Sequence, residues 1–199
     1  MVTMQIPDKR DRLVQAAMAL AYQQGFRRTS LADIAKEAKV PLGNVYYYFK
    51  TKEEIGEAIV ETHLAQIRLI QQRLDTMPSP GERLCAFVQM TFDNRKMLAQ
   101  SGCPIGTLCT ELHKEEGGTL AELSTALFTE LLSYLKKQFQ MLDKNTDAQG
   151  LAVHLLSALE GIAVVAHSLR DPEIVTMEAE RLQGWIRGLE AKANKAGAA

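Results

Sequence analysis

The chain has 199 residues, which suits one or two domains, and its 46% hydrophobic content is enough for a substantial core. A formal net charge of −1 excludes a protein that coats nucleic acid indiscriminately through bulk positive charge. The three cysteines, Cys85, Cys103 and Cys109, are an odd count without framework spacing and point to a reducing cytoplasm. The opening MVTMQIPDKRDR has no apolar run suited to a signal sequence, and nowhere do eighteen uncharged apolar residues follow one another, so no membrane span is expected.

In chain order, every element reads as helix. Asp8 to Gln24 carries Leu13, Ala16, Ala17, Leu20 and Ala21 at helical spacing and stops at Gly25, with Phe26 expected to plug a small core. Ser30 and Asp33 form an acidic variant of the capping box ahead of Leu31, Ile34, Ala35 and Ala38, which predicts a two-turn helix over 31–38. Pro41 cannot continue that helix but suits the first turn of the next, over 42–49. Thr51 and Glu54 repeat the capping signal and open a long helix to about Asp75, with Ile55, Ile59, His63, Ile67, Ile70 and Leu74 down one side.

Pro78-Ser79-Pro80-Gly81 breaks the pattern. Further helices are expected from about Glu82 to Gln100, from Cys103-Pro104 to Glu116, from Thr119 to Leu142, from Asp147 to Leu169, and from Pro172 to about Ala191. Gly117-Gly118 marks a second break, and the tail NKAGAA is expected to fray. No strand-period run or internal repeat occurs. The fold class is therefore all-α, with about nine helices. The helix over 147–169 is apolar on most of its surface through Leu155, Leu156, Leu159, Ile162, Val164 and Val165, so it needs cover on all sides. A second copy of the chain is the simplest cover, and Ala158, Gly161 and Ala163 permit close helix approach. The alternative is a monomer that uses this helix as its central core.

Charge is unevenly spread. Residues 1–55 hold nine Lys/Arg against six acids, a net +3, which leaves −4 for the remainder. A mildly basic head on an acidic body fits a protein that touches DNA at one end. On the helix over 42–49, Val45 and Phe49 fall on one side, with Leu42 at its edge. Gly43, Asn44 and Tyr47 fall opposite, flanked by Tyr46 and Tyr48, and Lys50 and Lys52 follow. This face has no acid, whereas an ordinary solvated face mixes Glu and Lys. Short polar groups without negative charge suit a helix that enters a DNA major groove.

Thr29-Ser30-Leu31-Ala32-Asp33-Ile34-Ala35, then Gly43-Asn44-Val45-Tyr46-Tyr47-Tyr48-Phe49, then Lys50-Thr51-Lys52-Glu53-Glu54, resemble the DNA-binding domain of TetR-family transcriptional repressors, from about Asp8 to Ala58 without a gap. The resemblance implies a helix-turn-helix domain over residues 1–50 and an effector-binding and dimerisation domain over 51–199. It also implies a homodimer whose last two long helices form a four-helix interface. Two-fold symmetry then sets the heads roughly 34–36 Å apart on a pseudo-palindromic operator in double-stranded DNA. By position, Leu42 and Gly43 approach base edges and Asn44 reads a base or holds a phosphate. Tyr46, Tyr47, Tyr48 and Lys52 meet phosphate or sugar, and Thr29 and Ser30 do similar work from the preceding helix. Two residues depart from the family pattern: Lys39 stands where the turn usually has glycine, and Leu42 where a basic or polar residue is frequent.

The same resemblance implies a pocket for a small-molecule effector within the body, with the fourth helix linking it to the head. Phe87 and Thr107 are candidate lining residues, with Met90, Phe92, Phe128, Met141 and Trp185; all seven fit plain core as well. Cys103 follows Gly102 beside a helix N-terminus, where unpaired N–H groups favour thiolate. Similar Gly-Cys segments occur in TetR-family members that respond to electrophiles or oxidants, so Cys103 is a candidate sensing thiol. Cys109 and His113, four apart, with Cys103 make a weak metal constellation, and no metal or other cofactor is expected. No Gly-x-Ser-x-Gly elbow, phosphate-binding glycine loop or HExxH pair occurs, so no catalytic residue is assigned and no enzyme is expected. Glu160, alone in an apolar helix, reads as an interface hydrogen-bonding group. The rival function is a helical adaptor that uses its tyrosine-rich helix to bind protein.

Overall fold

The computed structural model describes residues 8–114 and 118–197. Among these there are ten helices and no strand: α1 (Lys9–Gln24), α2 (Leu31–Glu37), α3 (Leu42–Tyr48), α4 (Lys52–Leu74), α5 (Pro80–Asp93), α6 (Arg95–Ser101), α7 (Pro104–His113), α8 (Thr119–Leu142), α9 (Ala148–Leu169) and α10 (Glu173–Gly197). The all-helical architecture agrees with the sequence pattern. The added helix arises where the run expected over 82–100 breaks at Asn94. There the side-chain amide donates to the Met90 carbonyl (2.7 Å), an acceptor that the backbone N–H of Asn94 also uses. A short amide side chain that competes for local carbonyls ends a helix in this way.

Other boundaries moved for equally local reasons. α7 ends at His113, and the end expected at Glu116 lies outside the described residues. Gly117 and the last two residues of the tail lie outside the described residues, as do the first seven residues of the chain. α10 runs on to Gly197 rather than stopping near Ala191, because EAKANKA is rich in strong helix formers. α9 is long and apolar enough to cross a membrane by length and hydropathy, although it carries Glu160 and two histidines. One of its faces is core, buried through Ala152, Leu155, Leu159, Ile162 and Ala166.

The chain divides into two compact units, residues 1–64 with 107–127, and residues 65–106 with 128–199. These packing units are distinct from the functional division expected at residue 50. Ile55, Ala58, Ile59 and Val60 of α4 are buried, and Gly56 lies so close to Phe26 and Leu120 that a Cβ there would meet them at 2.9 and 2.5 Å. The core of the first unit is Leu13, Ala17, Phe26, Ile34, Val45, Phe49, Ile55 and Ile59. Arg12 stiffens it from α1, donating to the carbonyls of Ala38 and Lys39 at the end of α2.

In the second unit, α10 packs on α5 and α9, and α6 packs on α9. Leu84, Val88, Leu135, Phe139, Leu155 and Ile186 are fully or almost fully buried. Trp185 lies between Phe139 and His154, with ring centroids 5.8 and 5.1 Å away. At the end of α4, Asp75 accepts from Tyr134 and from the buried Gln138, both at 3.4 Å, with Arg83 3.8 Å away. Burial and this carboxylate push the Tyr134 phenol up.

Candidate nucleic-acid interface and effector cavity

The first unit presents α3 on a rigid base. Ser30 caps α2 by accepting from the Asp33 N–H (3.2 Å), while Asp33 accepts from the Ser30 N–H (3.0 Å). The Ser30 hydroxyl, which donates to the Asp33 carboxylate (2.6 Å), and then the Ser30 N–H hold that carboxyl below the usual carboxylate range. Thr51 accepts from the Glu54 N–H (3.2 Å), and Glu54 reaches back to the Lys50 N–H (2.7 Å), which closes the turn after α3. Lys39 sits in the left-handed region at φ 55°, where glycine is usual. A non-glycine residue there carries about 1–2 kcal/mol of strain, partly offset because glycine is freer when unfolded. Lys39→Gly is therefore expected to raise stability by about 0.5–1 kcal/mol in a denaturant titration.

α3 buries Val45, and Phe49 caps its end with the Arg10 guanidinium 5.3 Å above the ring. Outward it shows Leu42, Gly43, Tyr46 and Tyr47, with Asn44 and Tyr48 half-buried. Tyr47 is 75% exposed and stacks edge-on against Tyr48 (5.0 Å), so the phenols stand as a group. Nothing lies within 4 Å of a Cβ built on Gly43, which leaves open space over that backbone. The Lys50 ammonium donates to the Tyr46 carbonyl (2.6 Å) at the helix end. Arg27, Arg28, Lys36 and Lys39 are exposed in the same unit.

Two candidate contact residues are placed otherwise than their positions imply. Thr29 is 2% exposed, and its hydroxyl donates to the Gly25 carbonyl (2.8 Å). It fastens the turn before α2. Lys52 is half-buried, with its ammonium 4.8 Å above the Phe26 ring and donating to the Arg27 carbonyl (2.8 Å). It pins the same turn and keeps its charge nearby. Sequence reading missed Glu111 of α7, whose carboxylate accepts from the N–H groups of Phe26 (2.9 Å) and Arg27 (2.8 Å). A partner some 84 positions away leaves no periodic or capping signal.

The second unit holds an apolar cavity of about 200 Å³. Ile67, Phe87, Met90, Leu131, Cys103 and Glu160 are among the residues on its wall. Phe87, Met90 and Cys103 are thus where a lining role needs them. Thr107 is not: it is exposed, being about 200° around α7 from Ile105, which does line the cavity. Phe92, Phe128, Met141 and Trp185 are also absent from the wall.

Cys103 does not sit as a thiolate. Gly106 N–H reaches its sulfur (3.3 Å) at the start of α7, as the sequence implies. Burial and the adjacent Glu160, to which the thiol donates (3.2 Å), outweigh that help and push it up to about 12. Glu160 is raised in turn, by burial first, with the thiol's hydrogen bond pulling the other way. A carboxyl raised by folding binds its proton more tightly when folded, so its ionised form penalises the native state once pH exceeds the ordinary carboxylate range. Glu160→Gln is expected to stabilise the protein at pH 7–8 in thermal melts, with the gain shrinking as pH falls toward 4. In the first unit, His113 has its ring nitrogens 2.8 Å from the Cys109 carbonyl and 3.2 Å from the Thr125 hydroxyl. The buried Cys109 sulfur lies 3.5 Å from the Ser124 carbonyl.

Residues 13–59 match the family described as bacterial regulatory proteins, tetR family. This stretch is a TetR-type DNA-binding domain by its match. A TetR-type match of this kind covers α1 to the start of α4, the elements that carry the exposed phenols. The uncharacterised HTH-type transcriptional regulator YxaF of Bacillus subtilis is 35% identical over 52% of this chain and 56% of its own length. The HTH-type transcriptional repressor NemR of Escherichia coli is 34% identical over 54% of each. The chain thus spans about half the length of these relatives in the match. The TetR fold extends further: the reduced form of E. coli NemR superposes with a TM-score of 0.76 at 21% identity, covering 89% of this chain and 96% of that one. SCO4454, a TetR-family regulator from Streptomyces coelicolor, gives 0.78 at 19% identity, with 93% and 95% covered.

Proposed function

We propose that this protein is a ligand-released transcriptional repressor that binds a pseudo-palindromic DNA operator as a homodimer in the cytoplasm. The observation that carries the reading is the outward face of α3, with exposed Tyr46 and Tyr47 and no acid, held on a buried Val45–Phe49 base in a unit that also exposes Arg27, Arg28, Lys36 and Lys39. Relatives named as repressors support it. Gly43 lets the backbone approach a base edge, Ser30, Asn44 and the phenols meet phosphate or sugar, and the exposed cations supply the salt-dependent attraction. The homodimer forms through the exposed apolar stripe of α9 and the neighbouring face of α10. The inducer is a small molecule that fills the cavity and favours a spread of the heads unsuited to the operator.

The test is fluorescence anisotropy with DNA from upstream of the protein's own gene. Affinity should fall steeply with salt, with a log–log slope reflecting several phosphate contacts. Failure to bind any such fragment at low salt sinks the reading and favours the protein-binding adaptor. Among the described residues Cys103 is the one thiol on the cavity wall. A thiol-reactive inducer would be captured there only once the thiol loses its proton, which burial and Glu160 oppose. If release by such a compound survives Cys103→Ser, that route is removed.

A further inference from the structure

Among the described residues Glu160 is the only carboxyl that lines the cavity, and no described lysine, arginine or histidine lines it. The Cys103 thiol, a neutral and weak donor, hydrogen-bonds to it. An ionised carboxylate set into an apolar wall is costly unless a cation meets it. The chain nevertheless makes space for this one. A Cβ on Gly106 would lie 2.2 Å from Glu160 Oε2, so a residue without a side chain stands where α7 meets the carboxyl. A wall built only to be apolar has no use for that arrangement. A wall that takes its cation from the occupant does.

We propose that the cavity takes a compact lipophilic amine, whose ammonium pairs with Glu160 in place of the Cys103 thiol. The rest of the occupant lies against apolar side chains such as Ile67, Phe87, Met90 and Leu131. At about 200 Å³ the cavity is smaller than the roughly 300–1,000 Å³ typical of drug-sized sites, which limits the amine to a single ring or a short branched chain. An organic acid of the same shape is repelled by Glu160, and an alcohol forfeits the ion pair. The proposal rests on reading the cavity as the effector site.

Calorimetric titration of the full chain with benzylamine, 2-phenylethylamine and cyclohexylmethylamine, each against its matching alcohol, tests it. The amines should bind at least tenfold more tightly than the alcohols. Glu160→Gln should erase that preference and leave alcohol binding unchanged, which shows that the cavity is still formed; Cys103→Ala should keep the preference. Equal binding of amine and alcohol, a preference that survives Glu160→Gln, or no amine binding at all overturns the proposal. Anisotropy with promoter DNA in the same samples separates the two readings. DNA binding without amine binding overturns only the amine site. Amine binding with no DNA binding upholds the site and overturns repression.

Discussion

On the proposed homodimer and operator, Val164→Glu is expected to give a monomer and to weaken binding at least a hundredfold, with helix content unchanged. Val164 is 63% exposed on α9, and Val153, Val165 and Leu169 of the same helix and Met177 of α10 are exposed with it. Val153, Ser157, Gly161, Val164 and Ser168 fall at helical spacing along one line, and nothing stands within 4 Å of a Cβ built on Gly161. A small-residue, apolar stripe of this kind admits a close helix partner. The carboxylate introduced at this position would face its own symmetry mate across a dry seam without a cation. Losing one head removes about half of the phosphate contacts, and a hundredfold loss corresponds to only about 2.7 kcal/mol. Sedimentation velocity reads the assembly and anisotropy the affinity. A variant that stays dimeric removes α9 from the interface.

Phe49→Ala is expected to cost about 3–5 kcal/mol and to abolish DNA binding by melting the head. Phe49 is 2% exposed, its N–H closes α3 on the Val45 carbonyl (2.8 Å), and Arg10 lies over its ring. The small head has few other large side chains to take up the void. Phe49→Leu keeps most of the volume and should cost markedly less. Four of the five tyrosines lie in the first unit and the single tryptophan, Trp185, in the second, so denaturant titration followed in both fluorescence bands locates the loss. An unchanged tyrosine midpoint would falsify the assigned role of this side chain.

The helix starts were legible because caps are local. Ser30 with Asp33 and Thr51 with Glu54 each satisfy N–H groups within a few positions, and the structure shows those bonds. The Ser79 cap, which starts α5 at Pro80 rather than near Glu82, was not read. The resemblance flagged Lys39 as standing where the family's turn usually has glycine, and the structure gives it a positive φ. The break at Asn94 was missed because an apolar period runs across it unbroken, from Phe87 and Val88 to Leu98 and Ala99, while one amide settles the backbone.

The sequence by itself determined an all-helical chain, a short acid-free helix bearing tyrosines, and a helix too apolar to stand alone. Each follows from periodicity and composition, which act over a few residues. Only the tertiary structure decided that Thr29 and Lys52 fasten a turn, that Glu111 holds that turn from α7, that Thr107 faces away from the cavity, and that Cys103 meets Glu160 across 57 positions. Those outcomes depend on which distant groups share a low-dielectric space. There, desolvation and one neighbouring carboxyl outweigh the helix terminus that a local reading of Gly102-Cys103-Pro104 sees first.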